Sequence, residues 1–414
     1  MSSHDRSRNQ VDVGSTAAFR LSALVLPFYV PSILSFLGVG MVVPLLALFA
    51  RHVGASVAEA GFIVGLFGLG HVLFNIPAGL LISRFGMRRT LISATVLEGL
   101  LAAALGFVEN LVPLAILVFL LGCVHTVYYV TRISFFRALV PASHRGRSLA
   151  LIGGSNRFGQ FLGPIVGGIV AEVFGFRYLF WLFSALMMAS LVFLVLWVPR
   201  VEPSRSGQTG THWISRTREI LRTNARTFLT AGSAIIVLQL LRTARQVLIP
   251  LVGEAVGLGV SEIGFVFGMM YLLELLFFYP AGIAMDRFGR KATAVPCLAF
   301  FALAFSFLPF VTGFISLLAV SLVAGVGNGL GSGINMTLST DFAPERNPGE
   351  FIGVWRFIVD AGTAGGPFLV GAVAAALSLG GAAVTVAVLG VAGATMMGVF
   401  VPEPLHRTAA ADKS

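Results

Sequence analysis

Long apolar stretches separated by short polar breaks run the length of the chain. Runs bounded by charge and by Gly/Pro clusters predict helices near 21–50, 58–82, 90–108, 111–136, 148–172 and 178–198. A polar stretch follows, then runs near 228–251, 261–285, 292–311, 313–339, 350–377 and 381–401. About 20 consecutive apolar residues cross a bilayer as a helix, which satisfies its own backbone hydrogen bonds there. The pattern therefore predicts an all-α integral membrane protein of twelve transmembrane helices. Its parts are a cytoplasmic tail at 1–20, six helices over 21–198, a linker at 199–227, six more over 228–401 and a tail at 402–414. The stretch at 21–50 is too long for the apolar core of a cleavable signal, and it is long enough to tilt or kink.

Of the 414 residues 57% are hydrophobic and 11% charged, whereas soluble proteins carry about 25% charged residues. The formal charge of +10 raises nucleic acid as a partner, and the placement of the basic residues argues against it. With both termini in the cytoplasm, 21 of the 28 Lys and Arg residues fall on that side, Arg51 and Arg177 lie outside and five lie within spans. This is the bias expected of a multi-pass protein of the plasma (inner) membrane. The linker arginines Arg200, Arg205, Arg216, Arg218, Arg222 and Arg226 are suited to anionic lipid headgroups. Cys123 and Cys297 fall inside spans and read as packing residues. No metal-ligand spacing, nucleotide fingerprint or Ser/His/Asp set stands outside the spans, so neither a cofactor nor an enzyme is expected.

Sliding the sequence on itself by 203 positions aligns residues 53–86 with 256–289, where 16 of 34 positions are identical. The match includes Glu59 with Glu262, Pro77-Ala78-Gly79 with Pro280-Ala281-Gly282, and Arg84-Phe85-Gly86 with Arg287-Phe288-Gly289. The same offset carries Gly159 and Gly163-Pro164 onto Gly362 and Gly366-Pro367, and Pro141 onto Pro344. Six spans return the chain to the same side, so the two halves are predicted to be parallel copies. Such repeats belong to carriers that bind near the midplane and rock one bundle against the other.

After the eighth span, Gly282-Ile-Ala-Met-Asp286-Arg287-Phe-Gly289-Arg290-Lys291 resembles the cytoplasmic loop motif G-x-L-x-D-R-x-G-R-K of the major facilitator superfamily. After the second, Gly79-Leu-Leu-Ile-Ser83-Arg84-Phe-Gly86-Met-Arg88-Arg89 keeps the glycines and basic residues but has Ser83 where that family usually has Asp. In span 5, Gly159-Gln-Phe-Leu-Gly163-Pro164-Ile-Val-Gly167-Gly168 is similar to the antiporter motif of its proton-coupled drug exporters, and Gly38-Val-Gly40-Met-Val-Val-Pro44 resembles their opening helix. The resemblance, most like the twelve-helix drug:proton antiporters, implies two pseudo-symmetric six-helix bundles with span 5 facing span 8 and span 2 facing span 11. It also implies that Asp286 docks at the N-terminus of span 5, whose free amides favour a carboxylate, and closes the cytoplasmic end, with Ser83 contributing less. The span 5 glycines read equally well as close packing, whereas for the glycine-rich Gly325 to Gly333 of span 10, which lacks the ending of a phosphate loop, close helix packing is the better explanation.

Charged groups at membrane depth cost about 2.5–3.5 kcal/mol on insertion scales, so each is a candidate for function. They are His71, Glu98, His125, Arg132, Arg157, Arg242, Arg245, Glu274, Arg356 and Asp360, with Gln239, Gln246, Asn156, Gln160, Asn328 and Asn335 as polar neighbours. The repeat maps His71 onto Glu274 and Arg157 onto Asp360, at matched depths. With the helix adjacencies the resemblance implies, the expected cross-bundle pairs are Arg157 with Glu274 and His71 with Asp360, with Arg356 one turn from Asp360. The pairs either make burial tolerable or exchange a proton that shifts the balance of states. Glu98, on a span that lies toward the outside of its bundle in that fold, is left out of the site.

Two functions are expected in competition. One is a proton-coupled exporter of small organic compounds, favoured by span 5. The other is a carrier of polar or anionic metabolites, favoured by five buried arginines against three acids, because a guanidinium suits forked recognition of carboxylate or phosphate. A membrane receptor without flux is a third class. The expected partners are a small-molecule substrate, protons and lipid, and the expected state is a monomer.

Overall fold

The computed structural model describes residues 25–140, 145–198, 213–345 and 348–403. The predicted tail at 1–20, Pro141, Arg200, Arg205 and most of the predicted C-terminal tail lie outside them. Every regular element among the described residues is helical. Ten helical segments are long and apolar enough to cross a membrane: α1 (Val25–His52), α2 (Val57–Phe85), α4 (Leu111–Leu139), α6 (Phe176–Trp197), α7 (Ala225–Ala255), α8 (Val260–Phe288), α9 (Lys291–Phe310), α10 (Phe314–Asp341), α11 (Pro348–Ala376) and α12 (Leu379–Val399). Two more, α3 (Met87–Leu105) and α5 (Arg145–Val173), are of similar length and more polar. The predicted linker contains a short helix, Trp213–Thr223, which the sequence reading did not resolve.

Local chemistry sets the helix ends. Ser56 Oγ accepts from the Glu59 amide at 3.2 Å and Glu59 Oε2 accepts from the Ser56 amide at 2.7 Å. At the equivalent position Glu262 accepts from the Gly259 amide at 2.9 Å. The Glu59/Glu262 identity of the repeat thus closes two helix N-termini. Gly86 (φ 80°) and Gly289 (φ 97°) turn α2 into α3 and α8 into α9 through a backbone region that a side chain disfavours. Just beyond, Arg88 Nη2 donates to the Val195 carbonyl at 2.9 Å and Lys291 Nζ to the Gly398 carbonyl at 2.8 Å. The two contacts are related by the 203-residue offset, and each places a cation on the C-terminal carbonyls of α6 or α12.

In the first half α2 packs on α4, α1 on α5 and α3 on α6; in the second, α8 packs on α10, α7 on α11 and α9 on α12. The halves meet where α2 packs on α11 and α5 on α8. These crossings close at one end. A Cβ on Gly61 would lie 2.8 Å from the Gly371 Cα, and one on Gly264 would strike the Pro164 carbonyl. At the other end of the same four helices, where the linker runs, Gly79, Gly153, Gly282 and Gly353 would meet nothing within 4 Å. Large apolar side chains on the periphery, such as Val112, Ile116, Ile315 and Leu196, remain exposed, on helices long and apolar enough to cross a membrane.

Candidate functional site

Halfway along the helices the charged residues gather in two groups. In the second half, Arg245 of α7 bonds Glu274 of α8, and both side chains are nearly sealed from solvent. Arg245 Nε also donates to the Arg242 carbonyl at 3.0 Å, and its guanidinium lies 5.2 Å from the Tyr271 ring. The Arg242 guanidinium is spread over three neutral acceptors: Asn328 Oδ1 at 2.6 Å, Gln239 Oε1 at 2.8 Å and the Gly331 carbonyl at 2.8 Å. That carbonyl stands in a break of α10, where it also accepts from the Ile334 amide at 3.3 Å. Helix runs to Leu330 and restarts at Ile334, with Gly333 at φ 82°. The glycine run thus packs on α8 and α9 through Gly325, Gly327 and Gly329, and interrupts its own helix at the level of the arginines.

Arg157 of α5 reaches across from the first half. Its Nη2 donates to Ser332 Oγ at 3.1 Å, and the guanidinium lies 4.2 Å from the centre of the Phe278 ring. The position equivalent to Arg157 is Asp360, and the position equivalent to Asn75 is Phe278. Asn75 Nδ2 donates to Asp360 Oδ2 at 3.1 Å. The same crossing contact therefore recurs in both interfaces with different chemistry.

The first half holds its own buried group. His125 Nδ1 and Glu98 Oε1 lie 2.9 Å apart, with Glu98 wholly buried. His71 Nδ1 lies 2.9 Å from Thr126 Oγ1. Arg132, 2% exposed, sits among the rings of Phe36, Tyr128 and Tyr129 at 4.8, 5.6 and 5.7 Å and reaches Asn156 at 3.4 Å. Its Nε and Nη1, like Glu98 Oε2, are buried without a protein partner among the described residues.

Two expected pairs are corrected. Glu274 is bonded by Arg245, on the neighbouring α7, so Arg157 turns to Ser332 instead. Asp360 is met by Asn75, one turn beyond His71 on α2, while His71 stays within its own half on Thr126. Arg356 lies exposed one turn before Asp360, and Gln246 is half-buried one turn beyond Arg242. Glu98, left out of the expected site, is the partner of His125, a pairing that only the rotation of α3 reveals. Ser332 and Asn75 are not among the expected residues, although each stands four residues from a candidate, Asn328 and His71 respectively.

The loop motif is not docked. Asp286 is 83% exposed and lies 3.5 Å from Arg290, which bonds Asp341 at 2.8 Å, so among the described residues the expected contact with the α5 N-terminus is not made at this splayed end. Ser83 Oγ donates to the Leu80 carbonyl of its own helix. The motif arginines Arg84 and Arg287 each lie over the phenylalanine that follows, Phe85 and Phe288. In α5 the motif glycines are contact points: a Cβ on Gly159, Gly163 or Gly167 would strike α1 between Phe36 and Met41, and one on Gly168 would strike α8 at Val260. Pro164 lies inside the same helix.

The chain is 21% identical over 83% of its length, and 89% of the relative's, to an uncharacterised MFS-type transporter of Methanocaldococcus jannaschii. It is 26% identical to a quinolone resistance transporter of Acinetobacter baumannii over 45% of this chain and 44% of that one. A hexuronate transporter of Bacillus subtilis is 27% identical over 40% of each chain. Among solved structures, the nucleoside transporter NupG superposes with a TM-score of 0.73 at 14% identity, covering 92% of this chain and 99% of that one. Since the Major Facilitator Superfamily pattern is matched over residues 29–244 and again over 232–414, the chain belongs to that superfamily.

Proposed function

We infer that the chain is a secondary active transporter that moves a small organic solute by alternating access, with twelve spans in two six-helix bundles over 21–198 and 228–401. The observation that carries this reading is closure at one end only. Glycine crossings seal the helix ends beyond Gly61 and Gly264, while the ends bearing Gly79 and Gly282 stand apart, and buried charges lie between. With both termini in the cytoplasm of a plasma membrane protein, this is the state open to the cytoplasm. Proton coupling is supported by Glu274 and Asp360 at the level where the halves cross, since protonating either changes a bond that links helices.

Relatives named as drug efflux pumps and as a hexuronate transporter leave export of drug-like compounds and carriage of polar or anionic metabolites as the two readings. The span 5 motif favours the first reading, and the acid-poor interior favours the second. The test is counterflow by purified protein in liposomes across a panel of both compound classes, with and without an imposed pH gradient. Exchange without a gradient, accelerated by one, is the expected result; ligand binding with no exchange under any gradient makes the protein a receptor and ends the transporter reading.

A further inference from the structure

The cavity groups do not balance in charge. Glu274 is occupied by Arg245, and Asp360 is held by Asn75 on the other interface. Arg157 and Arg242 are left with neutral oxygens only among the described contacts, and both address one turn of α10. Arg242 takes Asn328 and Gly331, Arg157 takes Ser332, and Ser332 Oγ in turn donates to the Asn328 carbonyl at 3.3 Å. One guanidinium comes from each half. A charge taken from water normally acquires a counter-charge, and the acid that acts on both arginines, Glu274, is already bonded to a third, Arg245.

The two arginines are also not equally committed. Arg242 spends all three nitrogens on protein oxygens, which fixes its plane. Arg157 spends one nitrogen of three and is otherwise held by the Phe278 ring. It is half-buried, and none of its nitrogens is both sealed and unpartnered, in contrast to Arg132. The fork of Arg157 is therefore open toward solvent while its position is fixed from behind, the arrangement that lets a guanidinium take both oxygens of a planar anion.

We propose that Arg157 and Arg242 form a subsite for the carboxylate of a small organic acid, with Arg157 as the bidentate ligand and Arg242 as the fixed second cation. The subsite rests on the transporter reading for its purpose, not for its geometry. A carboxylate seated there neutralises a surplus cation and bridges α5 to α7 and α10, so that cargo itself ties the two halves together. A cationic cargo meets repulsion at the same place.

The experiment is ligand-induced thermal stabilisation of the purified full chain with matched pairs, benzoate with benzamide and glucuronate with glucose, and with phenyl phosphate as a further arm. Acids that stabilise where their neutral partners do not are expected. Arg157→Gln should abolish the shift, and Arg157→Lys, which keeps charge but loses the fork, should weaken apparent affinity by about tenfold or more. Neutral compounds stabilising as well as the acids, a response to none of the acids, an acid response that survives Arg157→Gln, or tighter binding of phenyl phosphate than of benzoate each overturns the proposal. Arg157 is the variant of choice because it has a single hydrogen-bonded anchor; unliganded melting of each variant is the control for folding, and Arg157→Lys is the readout should Arg157→Gln fail it. Acid binding without counterflow in liposomes would overturn the transporter reading and leave the subsite standing, whereas counterflow that ignores Arg157 would do the reverse.

Discussion

Arg51 Nε lies 3.1 Å from Glu254 Oε2, and the two residues occupy the same position in the two copies of the repeat. The ion pair therefore joins equivalent ends of α1 and α7 at the closed end of the molecule, where Arg51 also donates to the Ala55 carbonyl at 2.6 Å. Both side chains are about a third exposed, at 34% and 39%, which limits the pair to about 0.2–1 kcal/mol. Glu254→Gln should consequently shift the balance of states toward opening at this end by no more than about fivefold. The exchanged pair Arg51→Glu with Glu254→Arg should restore it. Thiol labelling of a cysteine placed at Ile263, buried beside the pair, checks both outcomes, since the native Cys123 and Cys297 are themselves buried.

Backbone contact should matter more than charge at the same end. In Gly264→Ala the added Cβ strikes the Pro164 carbonyl, whereas in Gly282→Ala it meets nothing. Both changes gain the same helix propensity, so their difference isolates the crossing. Overpacking typically costs about 1–3 kcal/mol, and here the cost falls on the closed end alone. Gly264→Ala should accordingly raise labelling at that end more than Glu254→Gln does, and Gly282→Ala should leave it unchanged.

The two interface acids should separate stability from coupling. Glu274→Gln leaves Arg245 buried without its counter-charge, a loss of about 3–5 kcal/mol that a melting measurement detects. Asp360→Asn keeps an oxygen for Asn75 and should melt close to the parent. If either acid carries the coupling proton, its variant retains counterflow and loses acceleration by a pH gradient. Full gradient-driven transport in both variants would end the assignment of coupling to these residues.

What the sequence made legible follows from which physical signals are local. Helix identity was legible because apolar runs near 20 residues have one solution in lipid, and the second and eighth spans were placed within a few residues. The apolar runs stop at 82 and 285, because charge at Arg84 and Asp286 ends them while the helices continue to Phe85 and Phe288. The break in α10 is visible in the sequence only as a glycine run, which close packing explains without a break. The helix adjacencies implied by the resemblance are present, yet the pairs drawn from them are not. Adjacency of α5 and α8 does not say that Arg157 rather than Arg245 reaches Glu274. Such choices depend on helix rotation and on competition from a third helix, and neither is encoded locally. The Glu98 contact is hidden for the same reason: an expected place for span 3 toward the outside of its bundle does not say that this side chain turns inward to His125.

The loop motifs bear on the state that is not seen. With the linker end splayed, Asp286 is exposed and Ser83 bonds its own helix, so Asp286→Asn and Ser83→Ala should both melt like the parent. Closing that end would bring the Asp286 loop toward the start of α5, where the free amides of a helix N-terminus favour a carboxylate by about 0.3–1 kcal/mol. A serine hydroxyl at the equivalent loop offers no charge to α11. Asp286→Asn should therefore slow transport more than Ser83→Ala while leaving acid-induced thermal shifts alone, because the deficit lies in reaching the other state and not in binding. Counterflow rates of the two variants at saturating cargo decide it: equal losses would mean that the two loops act alike and that charge at Asp286 has no special part in closure.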